Sequence, residues 1–328
     1  MKATAKAHPN IALVKYWGKQ NTDLNLPAVG SISLTLSGLS TISTVHFRDH
    51  LKSDSLILNR EKASPEQTAR VSRFLDIIRR QSGVSYKAKV ISENDFPTGA
   101  GLASSASAFA SLALAAGKAA GLDNSPARLS EIARLGSGSA ARSVFGGFVE
   151  MKTGNRPDGS DAVAIQLQDE NYWDIRLLIA ITSEAEKSTG STEGMLHTAK
   201  TSPYYGQWVF TSQADIEEMR RAIFTRNFRK LGEIAEHSCL KMHALAMSAQ
   251  PGLIYWNSAT VALIHEVRHM RHNGIPAYFT IDAGPQVKVI CQPADVPVVR
   301  ERLEKTPGVL RIIETAPGGS AQLLEADS

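Results

Sequence analysis

Cysteine is scarce: the 328 residues hold only Cys239 and Cys291. Their wide separation gives no metal-binding or redox motif, and two lone thiols suit a reducing compartment. No apolar run is long enough to span a bilayer. The N-terminal stretch MKATAKAHPNIALVKYWGK contains no apolar segment of signal-peptide length. No block of Lys and Arg resembles a nucleic-acid-binding arm, because acids and bases are spread along the chain. Internal repeats, low-complexity tracts and Pro-rich linkers are lacking too. These absences point to a cytoplasmic protein with no nucleic-acid partner and no membrane partner.

What is present suffices for a sizeable core. At 43% apolar and 21% charged residues, a chain of this length suggests two domains. The formal net charge of +4 fits a small anionic substrate and an ordinary basic surface equally well.

Periodicity gives a coarse map. NIALVKYW, SISLTL and TISTVHF read as strands, the last two joined at SGL as a hairpin. Ser64, Pro65 and Gln67 form a capping box with Pro at the first helical position. Val71, Phe74, Leu75 and Ile78 make that helix's apolar stripe, and Gly83 ends it. YKAKVIS returns as a strand, and Ser125-Pro126 starts a helix that stops at Gly136. In the second half, DIRLLIAIT is a buried strand. A long helical region follows from about Gln213 to His272, broken near Pro251-Gly252. IPAYFTID and QVKVICQ are strands, DVPVVRERLEK a helix and VLRIIET a last strand. This order matches a ferredoxin-like split unit and divides the chain into residues 1–178 and 179–328.

Between strand YKAKVIS and the next helix lies ENDFPTGAGLASSASAFASLALAAGKAAGL, rich in Gly, Ser and Ala. Two readings stand side by side. A glycine loop before a helix start lets an anion approach bare N–H groups and a favourable dipole. Ser104 and Ser105 would then offer hydroxyls to phosphate oxygens or to Mg²⁺. Alternatively, small residues let the helix pack tightly and the serines are caps. The stretch is neither a Walker A loop nor GxGxxG.

Pro97 to Ala106 resembles the PxxxGLxSSA ATP-binding motif of the GHMP kinase superfamily. The wider stretch resembles one branch, the mevalonate diphosphate decarboxylases. NIALVKYWGK with LNLP, SGSAARSVFGGFVE, GSTEGM and FTIDAGPQVK resemble four further segments of that branch, in the right order. The resemblance implies an α/β (α+β) GHMP kinase-like two-domain fold. Its N-terminal domain would be like ribosomal protein S5, with a left-handed crossover, and its C-terminal domain ferredoxin-like. It also implies a homodimer, ATP and Mg²⁺ as cofactors, and a small phosphorylated substrate that is phosphorylated on its 3-hydroxyl and then decarboxylated.

Site residues follow from the same resemblance. Asp282 would activate or orient the hydroxyl, Lys19 would keep Asp282 ionised, and Arg142 would hold the substrate carboxylate. Substrate contacts would come from Tyr16, Trp17, Gly18, Lys19, Ser137, Gly138, Ser139, Ala140, Ala141, Arg142, Ser191 and Thr192. Ala141 stands where many members have Cys. The nucleotide would meet Asn94, Pro97, Gly99, Gly101, Leu102, Ala103, Ser104, Ser105 and Ala106, with Ser105 reaching Mg²⁺. Arg70 and Arg73 both suit a further substrate arginine. Two neighbouring chemistries use similar motifs: a decarboxylase of the monophosphate and a small-molecule GHMP kinase. A different class is raised by HEVRH, His265 to His269, a formal zinc-hydrolase signature on a helix. Arg268 and Arg271 put charge where a buried zinc helix needs none, and no third ligand has a recognisable spacing.

The glycine stretch yields a first prediction. Gly101→Val should weaken ATP binding by calorimetry without unfolding the protein. Normal binding in a folded variant would leave only the packing reading.

Overall fold

Strand alternation builds the first layer. The computed structural model describes residues 1–96, 104–185 and 187–325. It opens on strand Lys2–Ala7, where Ala5 and Ala7 are buried and Lys2 is exposed. This strand sits in a six-stranded sheet ordered Gln322–Leu324, Lys2–Ala7, Thr41–Arg48, Lys87–Asn94, Ser55–Leu58, Glu61–Lys62. Ser55–Leu58 runs parallel to Lys87–Asn94, and helix Pro65–Ser82 lies between them in sequence. That helix is capped as its residues dictate. Ser64 Oγ accepts the Gln67 N–H at 3.1 Å, Gln67 Oε1 accepts the Ser64 N–H at 2.9 Å, and Gly83 closes it at φ 75°.

Helix Ser104–Ala120 covers the inner face of this sheet. Its small residues bring it close enough for hydroxyls to bond across. Ser107 Oγ lies 2.6 Å from Thr41 Oγ1, and Ser111 Oγ lies 2.8 Å from Ser43 Oγ.

A second sheet is ordered Ala164–Gln168, Phe148–Met151, Ser31–Thr35, Asn10–Val14. Here one expectation is corrected. Ser31–Thr35 and Thr41–Arg48 do not form a hairpin; they belong to different sheets. The turn's polar groups bond elsewhere: the Ser37 N–H to the Ala316 carbonyl at 2.8 Å, the Ser40 N–H to Asp95 Oδ1 at 2.6 Å. Ser31–Thr35 is also buried at all five positions, so it needs a partner on each edge and cover on each face.

The third sheet is ordered Tyr278–Ile281, Val287–Cys291, Arg176–Ile181, Arg311–Thr315, all antiparallel, which is the ferredoxin-like arrangement. The long helical region divides more often than its periodicity suggests, into Tyr205–Phe224, Phe228–Met247 and Ser258–His272, with Ser191–Thr201 ahead of them. The extra break falls where Arg226 takes φ 48° and Asn227 Oδ1 caps the next helix by accepting the Lys230 N–H.

The two halves share one core. Ile11, Leu13, Ile32, Leu34 and Phe148 from the second sheet pack with Leu177, Ile179, Ile181, Ile216, Met219 and Leu231. Leu178 and Ala180, the alternate residues of the same strand, face a separate core under Ser258–His272. Glu150 and Arg220 join the halves by a bidentate pair at 2.5 and 2.6 Å.

Helix Phe228–Met247 lies close on strand Tyr278–Ile281, because Gly232 offers no side chain. A Cβ there would come within 2.1 Å of the Tyr278 ring. Gly232→Ala should therefore overpack this contact and destabilise the protein by about 1–3 kcal/mol, read as a lower melting temperature. An unchanged melting temperature would mean that the helix can shift.

Candidate active site

A cleft of about 830 Å³ opens beside the ends of strands Asn10–Val14 and Tyr278–Ile281, and the starts of helices Ser104–Ala120 and Ser191–Thr201 line it too. Asp282 stands just past the end of Tyr278–Ile281, with about a quarter of its side chain exposed. Lys15, just past the end of Asn10–Val14, places Nζ 2.6 Å from Asp282 Oδ1. Lys288 of the next strand places Nζ 3.5 Å from Oδ2. Both lysines are buried. Burial works against ionisation of Asp282, but the ammonium groups of Lys15 and Lys288 outweigh it and hold the carboxyl far below the usual range. Lys187 reaches the same corner, donating to Ser191 Oγ at 2.8 Å and to the Ala283 carbonyl at 3.2 Å.

Arg142 projects from the 3-10 helix Gly138–Val144. Its Nε donates to Asn10 Oδ1 at 3.2 Å and its Nη1 to Ser31 Oγ at 2.7 Å. Asn10 in turn donates to the Ser139 carbonyl and to Ser143 Oγ, so it ties the arginine loop to the strand. Burial pushes the Arg142 guanidinium down to about 10, against the pull of Tyr16 and Asp282. No carboxylate pairs with it among the described residues. The Tyr16 hydroxyl is also buried without a hydrogen-bond partner among them, and burial pushes its pKa up to about 12. Gly138 must be glycine for this approach, since a Cβ would lie 2.5 Å from the Tyr16 hydroxyl. A buried guanidinium and an orphaned hydroxyl facing one cleft suit an anion.

Further along, Ser105, Ser137 and Ser139 bring their hydroxyls together, at 3.5 Å and 3.2 Å between neighbours. Ser104 and Ser105 begin helix Ser104–Ala120, whose first N–H groups lack intrahelical partners. These hydroxyls and the Asp282 carboxylate are hard oxygen donors, the kind that Mg²⁺ and phosphate chemistry use. Arg70 lies over the Phe109 ring at 4.6 Å and donates to the Gly136 carbonyl at 3.2 Å. Arg70, rather than Arg73, lines the cleft.

Tyr16, Trp17, Lys19, Ser104, Ser105, Ser137, Gly138, Ser139, Arg142, Ser191, Thr192 and Asp282 all line it. Pro97, Gly99, Gly101, Leu102 and Ala103 lie outside the described residues. Others serve packing. Ala106, Ala140 and Ala141 are core residues. Trp17 is buried, with Nε1 bonded to Thr198 Oγ1, and Gly18 packs against Tyr205. Asn94 accepts from Thr41 Oγ1 at 2.6 Å and is not among the described lining residues. Lys19 needs a correction: its Nζ bonds Asn25 Oδ1 at 2.6 Å, and Lys15 is the lysine on Asp282. Burial and neighbouring Arg70 hold Lys19 below the ordinary lysine range, as suits a cation awaiting an anion. Lys15, Lys187, Lys288 and Asn10 were missed as site residues. Lys15 and Lys288 lie within quoted motifs, but an alternating strand pattern does not say which lysine turns inward.

The HEVRH residues are engaged with neighbouring side chains. Glu266 accepts from Arg302 at 2.7 Å, His269 bonds Asn273, and no group of three metal-ligating side chains occurs among the described residues.

The diphosphomevalonate decarboxylase-like N-terminal domain matches residues 7–164, and the mevalonate 5-diphosphate decarboxylase C-terminal domain matches residues 177–319. Diphosphomevalonate decarboxylase of Candida albicans is 34% identical, over 98% of this chain and 97% of its own. That of Bos taurus is 38% identical, over 87% and 76%. The mevalonate diphosphate decarboxylase structure from Staphylococcus aureus superposes with a TM-score of 0.94 at 36% identity, covering 99% of this chain and 98% of that one. A structure described as MDDEF in complex with MVAPP, AMPPCP and magnesium gives 0.93 at 38% identity, covering 99% of each chain.

The pair at Asp282 has a pH signature. Because its folded-state pKa is depressed, its contribution to stability is full above the ordinary carboxylate range and is lost as pH falls through the folded value. Lys15→Met removes the nearer ammonium, so the Asp282 carboxyl should titrate at higher pH by carbon NMR. An unmoved titration would mean that Lys288 alone sets it.

Proposed function

The chain belongs to the diphosphomevalonate decarboxylase family, and on that premise we propose that it converts mevalonate 5-diphosphate and ATP to isopentenyl diphosphate, ADP, phosphate and CO₂. The Lys15–Asp282 contact at the cleft floor carries this reading most directly. It supplies a carboxylate kept ionised in a site otherwise furnished for anions. Relatives described with MVAPP, AMPPCP and magnesium support the same ligands here.

Asp282 accepts a hydrogen bond from the 3-hydroxyl and aims its oxygen at the γ-phosphorus. With Lys15 and Lys288 holding it ionised, the Asp282 carboxylate acts mainly by orienting the hydroxyl. Phosphoryl transfer tolerates this, because its transition state is loose and positioning does most of the work. Lys15 and Lys288 offset the charge gathering there. Arg142 holds the substrate carboxylate with Nη2, which has no other partner among the described residues. Once phosphate leaves the tertiary carbon, the positive charge that develops draws electrons from that carboxylate and CO₂ departs.

Tyr16, Lys19, Ser191, Thr192 and the Ser137–Ser139 loop bind the substrate's anionic groups. Ser104 and Ser105 at the helix start receive the nucleotide phosphates, and Ser105 reaches Mg²⁺. Mg²⁺ held there would supply positive charge against the phosphates during transfer. We further infer a cytoplasmic homodimer with domains 1–178 and 179–328, from the family resemblance and from two buried, unpaired cysteines.

The test supplies ATP, Mg²⁺ and each mevalonate phosphate in turn and measures ADP and CO₂ together. The diphosphate should give both in equal amounts. ADP alone would make the protein a kinase, and preference for the monophosphate would make it that substrate's decarboxylase. Asp282→Asn should lower both products together by about 10²–10⁴-fold while both ligands still bind. Near-normal turnover with a reduced melting temperature would make Asp282 structural.

A further inference from the structure

Strand Tyr278–Ile281 is an edge of its sheet, so its outward N–H and C=O groups have no ladder partner on that side. Helix Phe228–Met247 supplies them from one face. Glu236 Oε1 accepts the Phe279 N–H at 3.2 Å. Cys239 Sγ accepts the Ile281 N–H at 3.2 Å and lies 3.6 Å from the Ile281 carbonyl. His243, one turn on, sets Nε2 3.3 Å from that carbonyl. A carbonyl only accepts, so Nε2 bears the proton and the ring is a neutral donor. Burial, with Lys15 adding to it, pushes the His243 pKa down to about 3, so the ring stays neutral at any working pH.

An adjoining face of the helix reaches the other strand. Ser238 Oγ accepts the Lys15 N–H at 2.9 Å. Positions 238, 239 and 243 fall on one side of a helix, and all three residues are buried. One rigid element thus grips the backbone of Lys15 and the peptide unit just before Asp282. The chemistry proposed above uses none of these three side chains.

We propose that Ser238, Cys239 and His243 are positioning residues that hold Lys15 and Asp282 at contact distance, with His243 acting through the Ile281 carbonyl. This rests on the reaction proposed above. Misplacement by 1 Å can cost about 10²-fold in rate, so a clamp on the backbone of both partners bears on turnover directly.

The experiment compares wild type, His243→Leu, His243→Gln, Asp282→Asn and the double variant Asp282→Asn/His243→Leu. His243→Leu keeps apolar volume and removes the donor; it should lower kcat by about tenfold or more with KM little changed. His243→Gln, whose amide can reach the same carbonyl, should restore most of the loss. The double variant should be no slower than Asp282→Asn alone, because both substitutions act through one group. A crystal structure of His243→Leu should show Lys15 Nζ and Asp282 Oδ1 parted beyond about 3.2 Å. The proposal is overturned if folded His243→Leu keeps kcat within about twofold of wild type, or if its effect multiplies that of Asp282→Asn. If His243→Leu does not fold, Cys239→Ala carries the same test on the same peptide. Wild type that forms neither ADP nor CO₂ would overturn the reaction itself, and this role with it. Normal wild-type turnover with an unaffected His243→Leu overturns the positioning role alone.

Discussion

A buried ammonium set against a carboxylate, Lys15 on Asp282 at 2.6 Å, is the contact on which the architecture depends. Taking two charges out of water costs several kcal/mol per ion, and such pairs seldom repay this as stability. The pair is therefore brought together by packing as well as by its own attraction. Its members come from opposite halves of the chain, and the core those halves share supplies that packing. Thr280 Oγ1, donating to the Ala12 carbonyl at 3.2 Å, stitches the two strands just before they deliver their charges. The turn after Asp282 then folds the chain back so that Lys288 approaches from the neighbouring strand.

The Ser- and Ala-rich helix answers two demands at once. Ser107 and Ser111 bond across to the sheet, so the small residues do serve close packing. Ser104 and Ser105 stand at the helix start and face the cleft instead. The packing reading is met at Ser107 and Ser111, while the anion reading concerns Ser104 and Ser105 in the first turn of the same helix. Along the helix the small side chains at Ser107 and Ser111 face the sheet, while Phe109, Leu112 and Leu114 fill the core around it. At the helix start the same smallness leaves the backbone open to the cleft.

Much of this is legible in the sequence. The capping box at Ser64, the ferredoxin-like order and the inward turn of Arg142 and Asp282 rest on local patterns or on motifs of several residues. The remainder depends on long-range pairing. SISLTL and TISTVHF look like hairpin partners because each alternates and a glycine lies between them. What separates them is a set of backbone bonds from residues 37 and 40 to residues 316 and 95, invisible locally. Strand Lys2–Ala7 leaves little mark in the sequence because alternating alanines carry little hydrophobic signal, and the strand Gln322–Leu324 beside it is only three residues long. The exchange of Lys19 for Lys15 has a similar cause. Both flank the same aromatic pair, and only the end of the strand at Val14 decides which one turns toward Asp282.

Net charge was the least informative property of all, and the cleft shows why. A formal +4 spread over 328 residues says little about any one place. The described cleft lining gathers Lys15, Lys19, Arg70, Arg142 and Lys187 against Glu66, Glu193 and Asp282. Several of these cations are partly or fully withdrawn from water, where screening by salt is weak and field lines are focused by apolar walls. Burial lowers the pKa of Lys19, Arg70, Arg142 and Lys187 alike, so each is more costly to keep charged without an anion than with one. A multiply charged ligand relieves that cost at several groups at once. Its charge would be recognised by this shared strain, and its shape by hydroxyls such as that of Tyr16, which has no hydrogen-bond partner among the described residues.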